Sequence, residues 1–204
     1  LEGRHAQQTA SHSGSTGGNV ILNPVYEFSY KFTQPNPNQI NVYARTGEDG
    51  QQQNVGLGTI VVRTFDTVSR TMLNDRIEVY NDPLYCVFEH TFWDRPDGVW
   101  IYTNERLRSD VNNVAAGRNC LLKSTDGKIG RAFGAPIVQA AVTDYIVPLN
   151  VIADDDGQNY LYIGKGSPQG LRRSAIAEDG TLSAMSSRLI SATGLTEGSI
   201  VDLG

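Results

Sequence analysis

The chain has 204 residues, 39% hydrophobic and 19% charged, with 21 Gly, 8 Pro and two Cys. That is the composition of one ordinary globular domain, large enough to bury a core without disulfide staples. Seventeen Lys plus Arg against 22 Asp plus Glu leave a net charge of −5, opposite in sign to a phosphate-binding surface, so nucleic acid is not an expected partner.

Residues 1–18 are mostly Gly, Ser, Thr, Gln and His and read as a polar flexible leader, too polar to offset the entropy of ordering it. His5 and His12, seven apart on such a segment, do not make a preformed metal site. No basic stretch followed by an apolar run precedes Val20, so a signal peptide is expected to be absent or already removed. The most apolar stretch, 135–153, is interrupted by Gln139, Asp144, Pro148 and Asn150. It is too broken to cross a bilayer, and no membrane partner is expected.

From residue 19 onward the pattern is of strands, with no convincing helix. Val25 to Phe32 alternates with period two and is rich in aromatics, as half-buried strands are. Turn residues 34–38 lead into a second strand, Ile40 to Ala44, followed by a third at 59–63 and a fourth at 76–80. The same order recurs with strands at 84–88, 99–102, 119–123 and 136–139, the first pair joined through Asp97-Gly98. It recurs again at 151–153, 160–163, 171–176 and 189–191, joined through Asp156-Gly157. The aliphatic–Tyr pairs end at Tyr43, Tyr102 and Tyr162, steps of 59 and 60 residues.

Four antiparallel strands repeating at this period describe the blades of an all-β, β-propeller-like fold. The repeats are about 19–80, 81–140 and 141–193, with the start of a fourth blade at 194–204. Three blades do not close a ring, since closed propellers have about four to eight. A homo-oligomer or the remainder of a longer chain would complete it. A sandwich of the same strands is the alternative. In a propeller the loops between second and third strands, at 46–58, 103–117 and 164–170, share one face with the links between blades, and ligands are expected there.

Three segments carry a resemblance to a known family. They are Val151 to Tyr162, with its apolar strand, acidic-Gly turn and Tyr-Leu-Tyr strand, Leu122 to Phe133, with Ser124, Asp126 and Phe133, and Glu197-Gly198-Ser199. Over about residues 80–204 the chain resembles the five-bladed propeller glycosidases of the arabinanase and β-xylosidase type, glycoside hydrolase family 43. The resemblance implies a glycosidase-like protein hydrolysing or binding plant- or microbe-type polysaccharide through paired carboxylates; no cofactor is expected, and the localisation is open, with an extracellular or secreted setting favoured. Glycoside cleavage needs one acid to protonate the leaving oxygen and a second group to activate water or attack.

Glu197 matches the family's general acid, and Glu89 stands at the equivalent place in the second unit. Asp144 is the acid nearest to where the family has the tuning Asp; Pro148-Leu149 replaces its Asp-Pro, and Asn23-Pro24 replaces the base. His90, Trp93, Trp100 and Arg118 are the candidate substrate-binding residues, with core packing as the competing role for His90 and both tryptophans. These departures favour the second reading, a non-catalytic binding or structural module of the adhesin or tail-fibre type. Asp154, Asp155 and Asp156 read as a solvated turn rather than a calcium site. Cys86 and Cys120 fall on the first and third strands of one unit and are not expected to pair. Ser124 and Asp126 loosely suggest a sialidase Asp-box with the wrong spacing around it.

Overall fold

Turn chemistry and period-two patterning set the first hairpin, β1 (Tyr26–Asn36) and β2 (Gln39–Gly47), and β3 (Ile60–Asp66) pairs along β2. The computed structural model describes residues 26–47, 58–144, 146–166, 169–187 and 189, with the backbone alone at 26–29, 165, 166 and 169. Two short strands, β4 (Thr71–Met72) and β5 (Ile77–Tyr80), both pair with β3 and complete the first sheet. The second sheet runs in chain order through β6 (Tyr85–Arg95), β7 (Gly98–Leu107), β8 (Arg118–Lys123) and β9 (Ile137–Val138). The third is β10 (Val147–Ala153), β11 (Asn159–Gly166) and β12 (Gln169–Ala175). Along β12, the N–H groups of Ser183, Ser186 and Leu189 donate to the carbonyls of Ala175, Arg173 and Leu171 at 2.8–2.9 Å, so this segment holds the fourth-strand position.

All pairings are antiparallel, no sheet closes on itself, and the described residues include no α-helix, only three 3-10 turns. The fold is all-β and propeller-like. β6 packs against β1 on one flank and β10 on the other, as innermost strands of successive blades do. Residues 1–18, the loop at 48–57 and the fourth-blade segment 194–204 lie outside the described residues.

The period seen in the sequence has a physical basis. Tyr43 stands opposite Val62, Tyr102 opposite Leu121 and Tyr162 opposite Arg173, the same position in each second strand. Tyr43 packs into the core of the next blade with Phe92, Val99, Ile101 and Leu122, its ring 4.3 Å from that of Phe92. Tyr102 packs likewise with Ile146, Leu161, Ile163 and Ile176 of the third blade. Each hydroxyl donates to a glycine carbonyl in the turn between third and fourth strands of the blade ahead: Tyr43 to Gly130 at 2.7 Å, Tyr102 to Gly180 at 3.1 Å. Both glycines are left-handed, with φ of +63° and +85°, and a Cβ on Gly130 would collide with the Tyr43 hydroxyl and the Val99 side chain. Burial pushes the Tyr43 hydroxyl up to about 12, so it remains a donor.

The structure differs from the sequence reading in several places. β10 begins four residues before the expected 151, because Pro148 is tolerated where β10 bulges between Pro148 and Asn150. β7 continues to Leu107 rather than ending near 102, since its ladder with β8 extends to the Glu105–Arg118 pair, and the second-blade loop shrinks to 108–117. β4 was not expected; the Asp66 carboxylate turns the chain back by accepting from the N–H groups of Val68 and Ser69. Asp154 and Asp156 are not simply solvated: Asp154 accepts from the Tyr162 hydroxyl and pairs with Arg173, and Asp156 accepts from the Tyr160 hydroxyl. In the turn after β8, Asp126 accepts from the N–H groups of Arg131 and Ala132 and Ser124 donates to Gly127. Cys86 and Cys120 are buried and free.

Gly130 and Gly157 separate the two demands on a left-handed glycine. Both have positive φ, but nothing lies within 4 Å of a Cβ on Gly157. Gly157→Ala is expected to cost about 1 kcal/mol, the backbone term alone. Gly130→Ala adds overpacking against Tyr43 and Val99 and is expected to cost about 2–4 kcal/mol in urea unfolding.

Candidate functional site

The second blade is apolar toward its hairpin end and polar toward its loop end on both flanks. On the flank facing the first blade, Val99 and Ile101 give way along β7 to Thr103 and Glu105. On the flank facing the third, Trp100 and Tyr102 give way to Asn104. The loop end is also where the blade links lie. Arg108 N–H donates to Leu84 O, and the Arg108 guanidinium to Asp82 O and the Asn81 side chain.

Between the first and second blades the polar group is an ion-pair cluster. Glu105, with 0% exposure, accepts from Arg118 at 2.7 Å and from the Thr103 hydroxyl at 2.9 Å. Arg118 also donates to Asp82 at 2.6 Å and to the Tyr80 hydroxyl at 3.2 Å, and its guanidinium lies 3.8 Å from the Tyr85 ring centroid. Burial works against the Arg118 charge, yet Glu105 and Asp82 hold it firmly protonated. Burial likewise opposes ionisation of Asp82, but the N–H groups of Leu84 and Tyr85 and the Arg118 guanidinium keep its carboxyl below the ordinary value. Burial, helped by the Glu105 charge, pushes the Cys120 thiol up to about 12.

Between the second and third blades the polar group is a rung across the sheet, Glu89 opposite Asn104 and Asn104 opposite Asn119. Asn104 donates to the Asn119 side-chain oxygen at 2.8 Å. Asn119 in turn donates to the main-chain carbonyls of Val142 and Asp144 at 2.6 and 2.9 Å. Glu89 reaches this flank because of a bulge. The register of β6 slips by one residue between Val87 and Glu89, which reverses the alternation. Val87 therefore faces the first blade, while Glu89 and Thr91 face the third, and Thr91 donates to Leu149 O at 3.0 Å. The bulged residue, Phe88, lies between two arginines, 5.9 Å from Arg45 and 3.8 Å from Arg106. Lys31 of β1 feels the Glu89 charge; burial lowers its pKa and Glu89 partly restores it.

The site residues expected from the sequence are thereby distributed. Glu89 and Asp144 belong to the same inter-blade flank, with Glu89 half-buried, Asp144 exposed and the Asp144 carbonyl held by Asn119. His90 points to the other side of β6, is 2% exposed and stands edge-on to Phe92 at 5.3 Å. Arg118 is also on that other side, in the ion-pair cluster. Trp93 and Trp100 pair edge-to-face at 5.5 Å with Arg95 over both rings, at 4.6 and 4.0 Å. They sit at the hairpin end, about 13 Å along the strand from Glu89. Glu197 lies outside the described residues. Among the described residues no three His, Cys, Asp or Glu side chains gather as metal ligands.

Sequence reasoning passed over Lys31, Asn104, Glu105 and Asn119. The available signal was Thr103-Asn104-Glu105, a polar run continuing a strand that had been apolar up to Tyr102.

No family model matches the chain, and no curated protein matches it in sequence. In fold it is similar to the crystal structure of an N-acetylgalactosamine deacetylase from F. plautii in complex with blood group B trisaccharide, with a TM-score of 0.59 at 12% identity. The match covers 78% of this chain and 51% of that one, so the matched part is about half the length of that protein.

Removing one partner of the ion-pair cluster should cost far more than removing both. Arg118→Met leaves the Glu105 carboxylate buried and uncompensated and is expected to lower stability by about 3–5 kcal/mol, whereas Arg118→Met with Glu105→Gln should recover most of that loss. The depressed Asp82 carboxyl contributes stability that is fully present above its unfolded value of 3.8 and is lost as pH falls below it. Asp82→Asn should accordingly flatten the acid limb of the stability curve. Both thiols should resist a disulfide labelling reagent at pH 8 in the folded protein and react fully on unfolding.

Proposed function

We propose that this chain is a carbohydrate-active propeller module whose site opens at the loop end of the groove between the second and third blades. Glu89 is its acid–base carboxylate, and Asp144 and Glu197 are the candidate partner carboxylates. The observation that carries this reading is the placement of Glu89. A bulge in the innermost strand turns it onto a polar inter-blade flank, opposite Asn104 and within the influence of Lys31. The fold likeness to a deacetylase complexed with a trisaccharide supports carbohydrate as the ligand class.

A carboxyl in this position serves two hydrolytic reactions. In glycoside cleavage it protonates the leaving oxygen while a second carboxylate activates water. In removal of an N-acetyl group, water adds to the amide carbonyl, acetate departs and the leaving nitrogen takes up the proton. The second chemistry is the one named for the similar structure and is the first to test. His90 and Arg118 lie on the far side of the second sheet, and Trp93 and Trp100 share the flank of Glu89 but at its hairpin end, so in this reading none of the four lines the site.

A specific observation favours a non-catalytic module as the second reading. The buried and half-buried carboxylates of the neighbouring flank, Glu105 and Asp82, are engaged by Arg118 in a structural ion-pair cluster.

The test incubates the purified chain with an N-acetylgalactosamine-terminated trisaccharide and with blood group B trisaccharide, and reads products by mass spectrometry and binding by calorimetry. Conversion is expected, with a loss of about 100-fold or more in Glu89→Gln that keeps the wild-type circular dichroism. Binding without conversion selects the module reading. Neither binding nor conversion overturns both.

A further inference from the structure

The hydrogen-bond directions in the rung between the second and third blades are forced from its outer end. Asn119 donates through its amide nitrogen to two main-chain carbonyls, of Val142 and Asp144, which can only accept. The Asn119 amide oxygen must then be the acceptor facing Asn104, so Asn104 turns its nitrogen toward Asn119. Flipping either amide would set like atoms against each other, so the orientation follows from the backbone. The Asn104 amide oxygen is thereby left on the other limb. Asn104 is 2% exposed, and that oxygen is buried with no hydrogen-bond partner among the described residues. The residue directly across the strand pair, on the same face, is Glu89.

A buried acceptor calls for a donor, and a carboxyl donates only when protonated. We infer that the Asn104 amide oxygen accepts the hydrogen bond of the protonated Glu89 carboxyl, making Asn104 a positioning residue that holds Glu89 in its acid form and fixes which way its proton points. This rests on the reading of Glu89 as the acid–base group and adds what sets its protonation state. Around Glu89, Lys31 of β1 and the two arginines beside Phe88, Arg45 of β2 and Arg106 of β7, favour the carboxylate, and Asn104 of β7 favours the acid. The cations on one side and the Asn104 oxygen on the other set the balance between its two forms, on which acid–base catalysis depends. The Asn104–Asn119 pair in turn ties that poise to the segment entering the third blade, at Val142 and Asp144.

The experiment is a carbon-13 NMR titration of the full chain labelled at glutamate side-chain carboxyls, with Glu89→Gln identifying the Glu89 resonance. In Asn104→Ala the Glu89 midpoint is expected to fall by about one pH unit relative to wild type, because the substitution removes a hydrogen bond that stabilises the neutral form. Asn104→Asp is expected to raise it, since a second carboxylate favours sharing a proton. A role for Asn104 in packing alone would leave the midpoint unmoved, and an unmoved or raised midpoint in folded Asn104→Ala overturns the inference. If that variant does not fold, Asn104→Leu, which keeps the side-chain size without an acceptor, decides by the same reading: a lowered Glu89 midpoint supports the hydrogen bond, and an unmoved or raised one overturns it. Full activity in Glu89→Gln would instead remove the functional reading, while the titration would still decide the hydrogen bond.

Discussion

The reach of two second-strand tyrosines, Tyr43 and Tyr102, into the blade ahead is the contact on which the rest of the structure depends. Tyr43 and Tyr102 each bury a ring in the following blade and close it with a hydroxyl bond to the carbonyl of a left-handed glycine, Gly130 or Gly180. The hydroxyl bond contributes about 1 kcal/mol and the buried ring about 2–3 kcal/mol. Most of the stabilisation is therefore apolar and nondirectional, while the hydrogen bond supplies the register. A blade displaced along its neighbour would leave the glycine carbonyl without its donor and drive the ring into the turn. Two successive blades are related in this one way, and the inner strands β1, β6 and β10 are set side by side as a result.

This arrangement also determines where polar chemistry can exist. The tyrosines and tryptophans hold adjacent blades together near the hairpin end, where the apolar side chains are. Toward the loop end the positions facing the neighbouring blade are taken by Thr103, Glu105, Asn104 and Asn119. Charged or amide groups between sheets demand partners, and the two flanks of the second blade meet that demand differently. One flank is self-sufficient: Arg118 satisfies Glu105 and Asp82 and packs on Tyr85. Such a cluster adds little net stability over an apolar packing and a large penalty to any arrangement that separates its members, so it specifies how the first and second blades meet. The other flank carries the amide chain from Asp144 through Asn119 to Asn104, and ends at Glu89.

How much of this was legible depended on the range of the interaction. The strand pattern and the acidic-Gly turns are local, written in residues within about ten positions of each other, and their recurrence every sixty residues led to an all-β, propeller-like chain with the strands nearly where they stand. Glu89 was legible as a carboxylate on an inner strand. Its flank was not, because the bulge between Val87 and Glu89 arises from pairing with β7 and reverses which alternate residues face which blade. For the same reason His90 and Glu89, adjacent in the chain, face opposite neighbours, and Trp93 and Trp100 are separated from Glu89 by the length of the strand.

The sequence by itself determined the class of structure, its repeat and the chemical inventory, since side-chain alternation and turn propensity act through the nearest neighbours along the chain. Only the tertiary structure decided which of those residues share a face between blades. Arg118 could be seen as a cation but not as the partner of Glu105 and Asp82, and Asn104 could be seen as polar but not as an acceptor facing Glu89. Those facts come from cross-strand register and from one blade packing on the next, and neither is written in the spacing of any single strand.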